Sequence, residues 1–358
     1  MTATVEEQDP QAVIGRLVVE LGSSLGVLLI ALGTRTGLWA ALADGEPTAA
    51  AELSRRTGVH PALVREWCRA QAAGGLLAYD GTTDTFRMPA AVTGALLHGP
   101  GAALVDACTD MFCSLGAGFA EFTAAVRSGT GFGWHQHDAQ FWHGSDALTR
   151  VSLPDELIGA ALDQLGPVTA ALQSGGSVLD VGCGYGTPTI AIARHFPSAT
   201  VLGIDYHPES ITTARSAADA AGVADRVRFD VAAASDLPAG GYDLVTFFDS
   251  VHDLGDPVGA LVQAREALVP GGAVLLVEPL AADRVEDNLN PSGRMFYAVS
   301  TMICTPNAIS QATGDGGAPL GTQAGPALLG ETAAAAGFSQ VRRVPLDAPL
   351  NLVLELRP

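Results

Sequence analysis

The chain has 358 residues with 38 acidic and 19 basic side chains, a formal charge of −19, and every basic residue is arginine. With 48% apolar and 16% charged residues, it can bury a sizeable core and is not a disordered polymer. Its length suits two domains or one large one. The acidic balance argues against a nucleic-acid surface, because such affinity rests on clustered cations. The absence of lysine removes any lysine base or Schiff-base former and leaves histidine for proton transfer near neutral pH.

Cys68, Cys108, Cys113, Cys183 and Cys304 form no CxxC pair and read as buried thiols of a reducing compartment. The first ten residues are too polar for a signal peptide. The run Leu21–Thr34 is too short for a membrane span of about 20 residues. A soluble, cytoplasmic protein with no membrane partner is expected.

From Ala12 to Ala43 leucines recur at three- and four-residue steps, interrupted by Gly22, Gly26 and Gly33, which predicts two or three helices with close crossings. Apolar residues on more than one face suit burial between subunits. Thr48 to Met88 then reads as helix, turn, helix and hairpin. Thr48 is the expected cap of the first helix, Pro61 starts the second, and Gly74-Gly75 ends it. This winged-helix outline carries five arginines against four acids. Lacking a basic face, it points to a structural or dimerising role rather than to DNA.

Residues 101–165 read as helical around the loop 129–144, which holds Phe132, Trp134, His135, His137, Phe141, Trp142 and His143. The histidine spacing matches no common ligand pair. An aromatic pocket wall or lid is expected there, with Trp134 and Trp142 facing substrate, and no metal is expected. Division into residues 1–100, a helical winged-helix domain, and residues 101–358, a helical linker or lid plus a catalytic domain, follows.

After Ser177 the pattern alternates strand and helix. Apolar runs at 177–181, 200–204, 226–231, 242–248 and 272–278 predict five buried parallel strands, and runs at 340–344 and 351–356 predict a terminal antiparallel hairpin. The fold class is α/β, a doubly wound, Rossmann-like seven-stranded sheet. Its strongest signal is Val178-Leu-Asp-Val-Gly-Cys-Gly-Tyr-Gly186, where Gly182, Gly184 and Gly186 let a ligand approach the backbone closely. A dinucleotide fingerprint would have glycine at Thr187, and Asp180 would repel a pyrophosphate. Asp180 suits an ammonium group instead, and Asp205, at the end of the second strand with Tyr206 beside it, suits two ribose hydroxyls.

These motifs, Asp180-Val-Gly-Cys-Gly-Tyr-Gly186, Gly203-Ile-Asp205 and Leu268-Val-Pro-Gly-Gly272, resemble the class I S-adenosylmethionine-dependent methyltransferases. With the winged-helix region included, the chain is similar to small-molecule O-methyltransferases of actinobacterial and plant secondary metabolism over roughly residues 15–95 and 165–356. The resemblance implies S-adenosylmethionine as cofactor, Gly182, Gly184 and Gly186 at its methionine moiety, Asp180 at its amino group and Asp205 at its ribose. Tyr206 and Asp249 would line the cofactor. The family's adenine-binding acid falls at Ala233, leaving Asp236 or backbone atoms to hold adenine. His252-Asp253 is similar to the family's His-Asp pair, whose histidine is the general base, and Glu278 matches the carboxylate that orients it. Packing or helix capping is the alternative role for His252. The stretch Asn290–Gln311 would roof the acceptor site, with Tyr297 in its wall and Arg294 facing an acceptor carboxylate.

The resemblance thus implies methyl transfer to a small, aromatic or polyketide-like acceptor, on oxygen first, by a homodimer joined through the N-terminal domain, in antibiotic-type biosynthesis. Carbon or nitrogen methylation, or other sulfonium chemistry such as cyclopropanation, are alternatives on the same fold. A ligand-sensing winged-helix regulator is the non-enzymatic alternative.

Overall fold

The computed structural model describes residues 9–238, 240–312 and 319–358. They form two compact units, Met1–Gly116 with Ala139–Val151, and Ala117–Asp138 with Ser152–Pro358.

The first unit begins with α1 (Pro10–Arg35), capped by Asp9, whose carboxylate accepts from the Ala12 N–H at 2.9 Å. One 26-residue helix stands where the sequence pattern predicts several. The reason is that Cβ atoms at Gly22 and Gly26 would meet nothing, so these glycines mark no crossing. At Gly33 a Cβ would fall 2.6 Å from the Trp67 ring, a close approach only glycine permits. Leu17, Leu21, Leu25, Leu28 and Leu32 are exposed, and Leu21 is 67% accessible. By length and composition α1 could cross a membrane.

Helices α2 (Ala50–Thr57) and α3 (Pro61–Ala73) and strands β1 (Ala78–Asp80) and β2 (Thr85–Arg87) make the winged-helix outline. Thr48 does not cap α2; its backbone exchanges hydrogen bonds with Phe86 at 2.8 and 2.9 Å, an antiparallel bridge that extends the wing beyond β2. Trp39 and Trp67 pack edge to face, centroids 4.6 Å apart, among Leu42, Leu53, Val64 and Met88. Helices α4 (Ala90–Leu97) and α5 (Gly99–Ala117) follow. After α6 (Phe119–Ser128) in the second unit, α7 (Ala139–Ser152) returns to the first. A Cβ on Gly144 would lie 2.8 Å from Ala107 and Met111, and Gln140 donates to Asp110 at 3.2 Å.

In the second unit α8 (Asp155–Leu162) and α9 (Pro167–Gln173) lead into a seven-stranded sheet. Its strands are β3 (Ser177–Val181), β4 (Thr200–Asp205), β5 (Val227–Val231), β6 (Tyr242–Phe248), β7 (Leu268–Pro279), β8 (Gln340–Arg343) and β9 (Asn351–Arg357), in the order β5-β4-β3-β6-β7-β9-β8. β3 to β7 run parallel; β9 lies antiparallel between β7 and β8. Helices α10 (Thr187–His195), α11 (Pro208–Ala221) and α12 (Pro257–Ala267) are the crossovers. Helices α13 (Pro291–Val299) and α14 (Thr305–Gln311) follow β7, and α15 (Pro326–Ala335) precedes β8. Strand alternation sends Val178 and Leu244 to one core and Leu179 and Val245 to the other, so the sheet is buried on both faces. The order reverses between β3 and β6, the crevice where open α/β sheets bind ligands.

Candidate active site

The loop leaving β3 turns through Gly182, Gly184 and Gly186, all with positive φ. A Cβ at Gly182 would strike the Ser250 Cβ at 2.7 Å, so this glycine lets the loop lie against the segment that leaves β6. Nothing lies within 4 Å of a Cβ at Gly184, whose surroundings are open. Below the loop, Asp180 is 1% exposed and accepts from the hydroxyls of Thr189 (2.5 Å) and Thr246 (2.8 Å). Burial pushes its carboxyl up to about 6 despite those bonds.

Asp205, at the end of β4, accepts the Gly184 N–H at 3.0 Å on one oxygen and the His207 N–H at 2.9 Å on the other. An ionised carboxylate has about four acceptor sites, so two remain for a ligand. Tyr206 donates its hydroxyl hydrogen to Asn307 at 3.2 Å and accepts the Trp134 N–H at 3.0 Å. Asn307 also accepts from Trp134 and donates to the Asp253 carbonyl at 3.3 Å, linking the 129–138 loop to the segment after β6. Ala233 is exposed in a turn whose backbone carbonyl accepts from Asp236.

Asp249 follows β6 with φ +48°, a left-handed conformation uncommon outside glycine. Burial first, and then the charge of Glu278, raise its carboxyl to about 7. Its Oδ1 has no hydrogen-bond partner among the described residues. The 3-10 turn Val251–Asp253 presents His252, which is 4% exposed. Its Nδ1 bonds Glu278, whose other oxygen accepts the Val251 N–H at 2.9 Å, so one carboxylate orients both ring and turn. Nε2 lies 3.3 Å from Asp253. Burial disfavours the imidazolium, but Glu278 and Asp253 outweigh it and hold the ring's pKa well above its ordinary value. Asp249, Asp253 and Glu278 around one histidine suit a cationic ligand.

Among the other expected substrate residues, Trp134 belongs to the sheet unit and Trp142 to the first unit, on α7. His137 packs edge-on against Phe132, centroids 4.9 Å apart, and His143 lies on α7. Arg294 is exposed and Tyr297 half-buried on α13. Two residues that sequence reasoning did not single out stand in the site. Asn307 gives no motif to find. Cys304 ends a π-helical turn, Ser300–Cys304, with its sulfur within 4.8 Å of the His252 and Asp253 ligand atoms.

The open glycine loop, the two remaining acceptor sites of Asp205 and the orphaned Asp249 oxygen fit a nucleoside bearing a cationic centre. Residues 172–323 match a family model described as a methyltransferase domain, and residues 23–97 one described as an Rv2258c-like winged HTH domain. The fold and these matches make the chain similar to the class I S-adenosylmethionine-dependent methyltransferases, with the methyltransferase domain lying in the sheet unit. Over 107 residues it is 36% identical to 27-O-demethylrifamycin SV methyltransferase of Amycolatopsis mediterranei, covering 29% of this chain. It spans about two fifths (39%) of that curated relative's length. An O-methyltransferase family protein from Burkholderia thailandensis superposes with TM-score 0.69 at 20% identity, covering 96% of this chain and 98% of that one. NcsB1 from neocarzinostatin biosynthesis, solved with S-adenosylmethionine and 2-hydroxy-5-methyl naphthoic acid, gives TM-score 0.58 at 20% identity, covering 93% and 95%. At these identities the structural likeness bears on the fold.

Proposed function

We propose that the protein transfers the methyl group of S-adenosylmethionine to a hydroxyl of a small aromatic or polyketide-like molecule in secondary metabolism. The observation that carries this reading is the buried His252–Glu278 pair beside the glycine loop, at the carboxyl ends of β6 and β7. The cofactor supplies an electrophilic methyl on a sulfonium. Gly182, Gly184 and Gly186 receive its methionine end, Asp205 accepts from the ribose hydroxyls, and Tyr206 and Asp249 line its edge. Asp180, which accepts one threonine hydroxyl on each oxygen and keeps acceptor capacity, is assigned to the cofactor's amino group, and Asp236 or backbone around Ala233 to adenine. Trp134 and Tyr297 are assigned to the acceptor wall.

His252 accepts the acceptor's hydroxyl proton at Nε2 while Glu278 at Nδ1 stabilises the imidazolium that forms. Removing that proton as the oxygen attacks contributes about 10²–10⁴-fold. Arg294, exposed on α13, is assigned to a carboxylate of the acceptor.

The reading extends to a cytoplasmic homodimer. The apolar faces of α1 continue the winged-helix unit, and a second copy of α1 covers them. In α3, Arg65 and Arg69 are both engaged by Glu66, at 3.3 and 3.2 Å, which favours this role over DNA binding. The test is transfer of label from methyl-labelled S-adenosylmethionine to a panel of phenols, naphthols and polyketide aglycones. Acceptor-dependent label with release of S-adenosylhomocysteine supports the reading; label on carbon or nitrogen redirects it, and no transfer to any acceptor counts against it.

A further inference from the structure

We propose that His252, Asp253 and Cys304 form a binding site for a thiophilic divalent cation of the zinc type. One ligand atom from each residue, a ring nitrogen, a carboxylate oxygen and a sulfur, lies within 4.8 Å of the other two. Tetrahedral zinc, with bonds of about 2.0–2.3 Å to such donors, places its ligand atoms about 3.3–3.8 Å apart. His252 Nε2 and Asp253 Oδ1 already stand 3.3 Å apart. The sulfur therefore needs to move by about an ångström at most.

Three further observations point to a cation. Asp253 Oδ1 is buried and makes no hydrogen bond among the described residues, since it lies beside the ring nitrogen without the alignment such a bond requires. His252 Nδ1 is taken by Glu278, leaving Nε2 directed at the cluster. A histidine bound through one nitrogen, with a carboxylate on the other, is the usual arrangement at zinc. Cys304 reaches the cluster through the π-turn Ser300–Cys304, a distortion that re-aims side chains at functional sites. Three protein ligands leave the fourth position open, as in zinc sites that accept a further ligand.

When the cation binds, the Cys304 thiol proton and the proton on the His252 ring's Nε2 leave to solvent, and the Nε2 lone pair is engaged. His252 then cannot take a proton from an acceptor. That consequence, inhibition of turnover by Zn²⁺ reversed by a chelator, rests on the methyl-transfer reading; the site itself does not.

The test is titration of the untagged full-length protein with Co²⁺ under reducing conditions. Wild type is expected to bind one Co²⁺ per chain with a sulfur-to-cobalt charge-transfer band. The band is lost in Cys304→Ser, and Glu278→Gln weakens binding about 10–100-fold, the usual cost of losing a partner behind a ligand. Circular dichroism establishes that each variant folds, and Asp253→Asn replaces any that does not, with weakened binding again expected. No charge-transfer band in wild type, or the same band and affinity in Cys304→Ser, overturns the proposal. A cobalt band in a protein that transfers no methyl group supports the site and counts only against the methyl-transfer reading.

Discussion

His252 stands between Glu278 and Asp253, and this pairing sets how the protein responds to pH. Its folded pKa is raised, so at neutral pH the ring holds a proton and cannot accept another. Turnover should therefore rise with pH through neutrality into the alkaline range as the base form appears. Replacing His252 with Ala should lower kcat about 10²–10⁴-fold and flatten the profile. An unchanged profile would show that another group takes the proton. The same shift stabilises the fold: the contribution is complete below the ordinary histidine value and is lost as pH rises through the folded pKa. Asp249 also loses stability as pH rises, but in a lower window. Its carboxyl sits near 7 against an ordinary 3.8, so ionising it in place costs stability as pH rises from about 4 to 7. Asp249→Asn keeps a residue that tolerates φ +48° and removes the charge. Its melting temperature should exceed that of wild type by more at pH 8 than at pH 5. The His252 and Glu278 motifs were legible because each sits at a strand end, in a fixed relation to the sheet. Cys304 was not, because it lies 52 residues after His252 in an inserted helical segment, and only the π-turn brings it back.

Among the elements, the strands and crossover helices of the sheet followed directly from buried apolar runs separated by helical periodicity. Local capping signals were less reliable. Thr48 looked like an N-cap, yet the wing recruits its backbone, because pairing with Phe86 satisfies two polar groups at once. In α1 the glycines looked like breaks, but a glycine costs a helix only about 1 kcal/mol, which one 26-residue helix can absorb. This gives a paired prediction. Gly22→Ala should be neutral or stabilising by up to about 1 kcal/mol, since its Cβ meets nothing. Gly33→Ala should destabilise by about 1–3 kcal/mol, because its Cβ collides with two tryptophan rings. Urea denaturation of both variants reads the difference.

For the whole molecule, a charge of −19 without lysine accompanies a winged-helix unit whose α1 exposes a row of leucines. A stable dimer buries about 1,200–2,000 Å² in total. If α1 supplies that interface, Leu21→Glu together with Leu25→Glu should shift the mass measured by light scattering from dimer to monomer while the sheet unit stays folded. The central claim concerns the ligand of that sheet: an open glycine loop and Asp205 shaped for S-adenosylmethionine. Isothermal titration calorimetry with S-adenosylhomocysteine tests it most directly. The account predicts a single site of micromolar affinity, weakened at least about tenfold in Asp205→Ala, where charge-assisted bonds of about 1.5–3 kcal/mol are lost. No heat of binding with S-adenosylhomocysteine, alongside saturable binding of NAD, would contradict it.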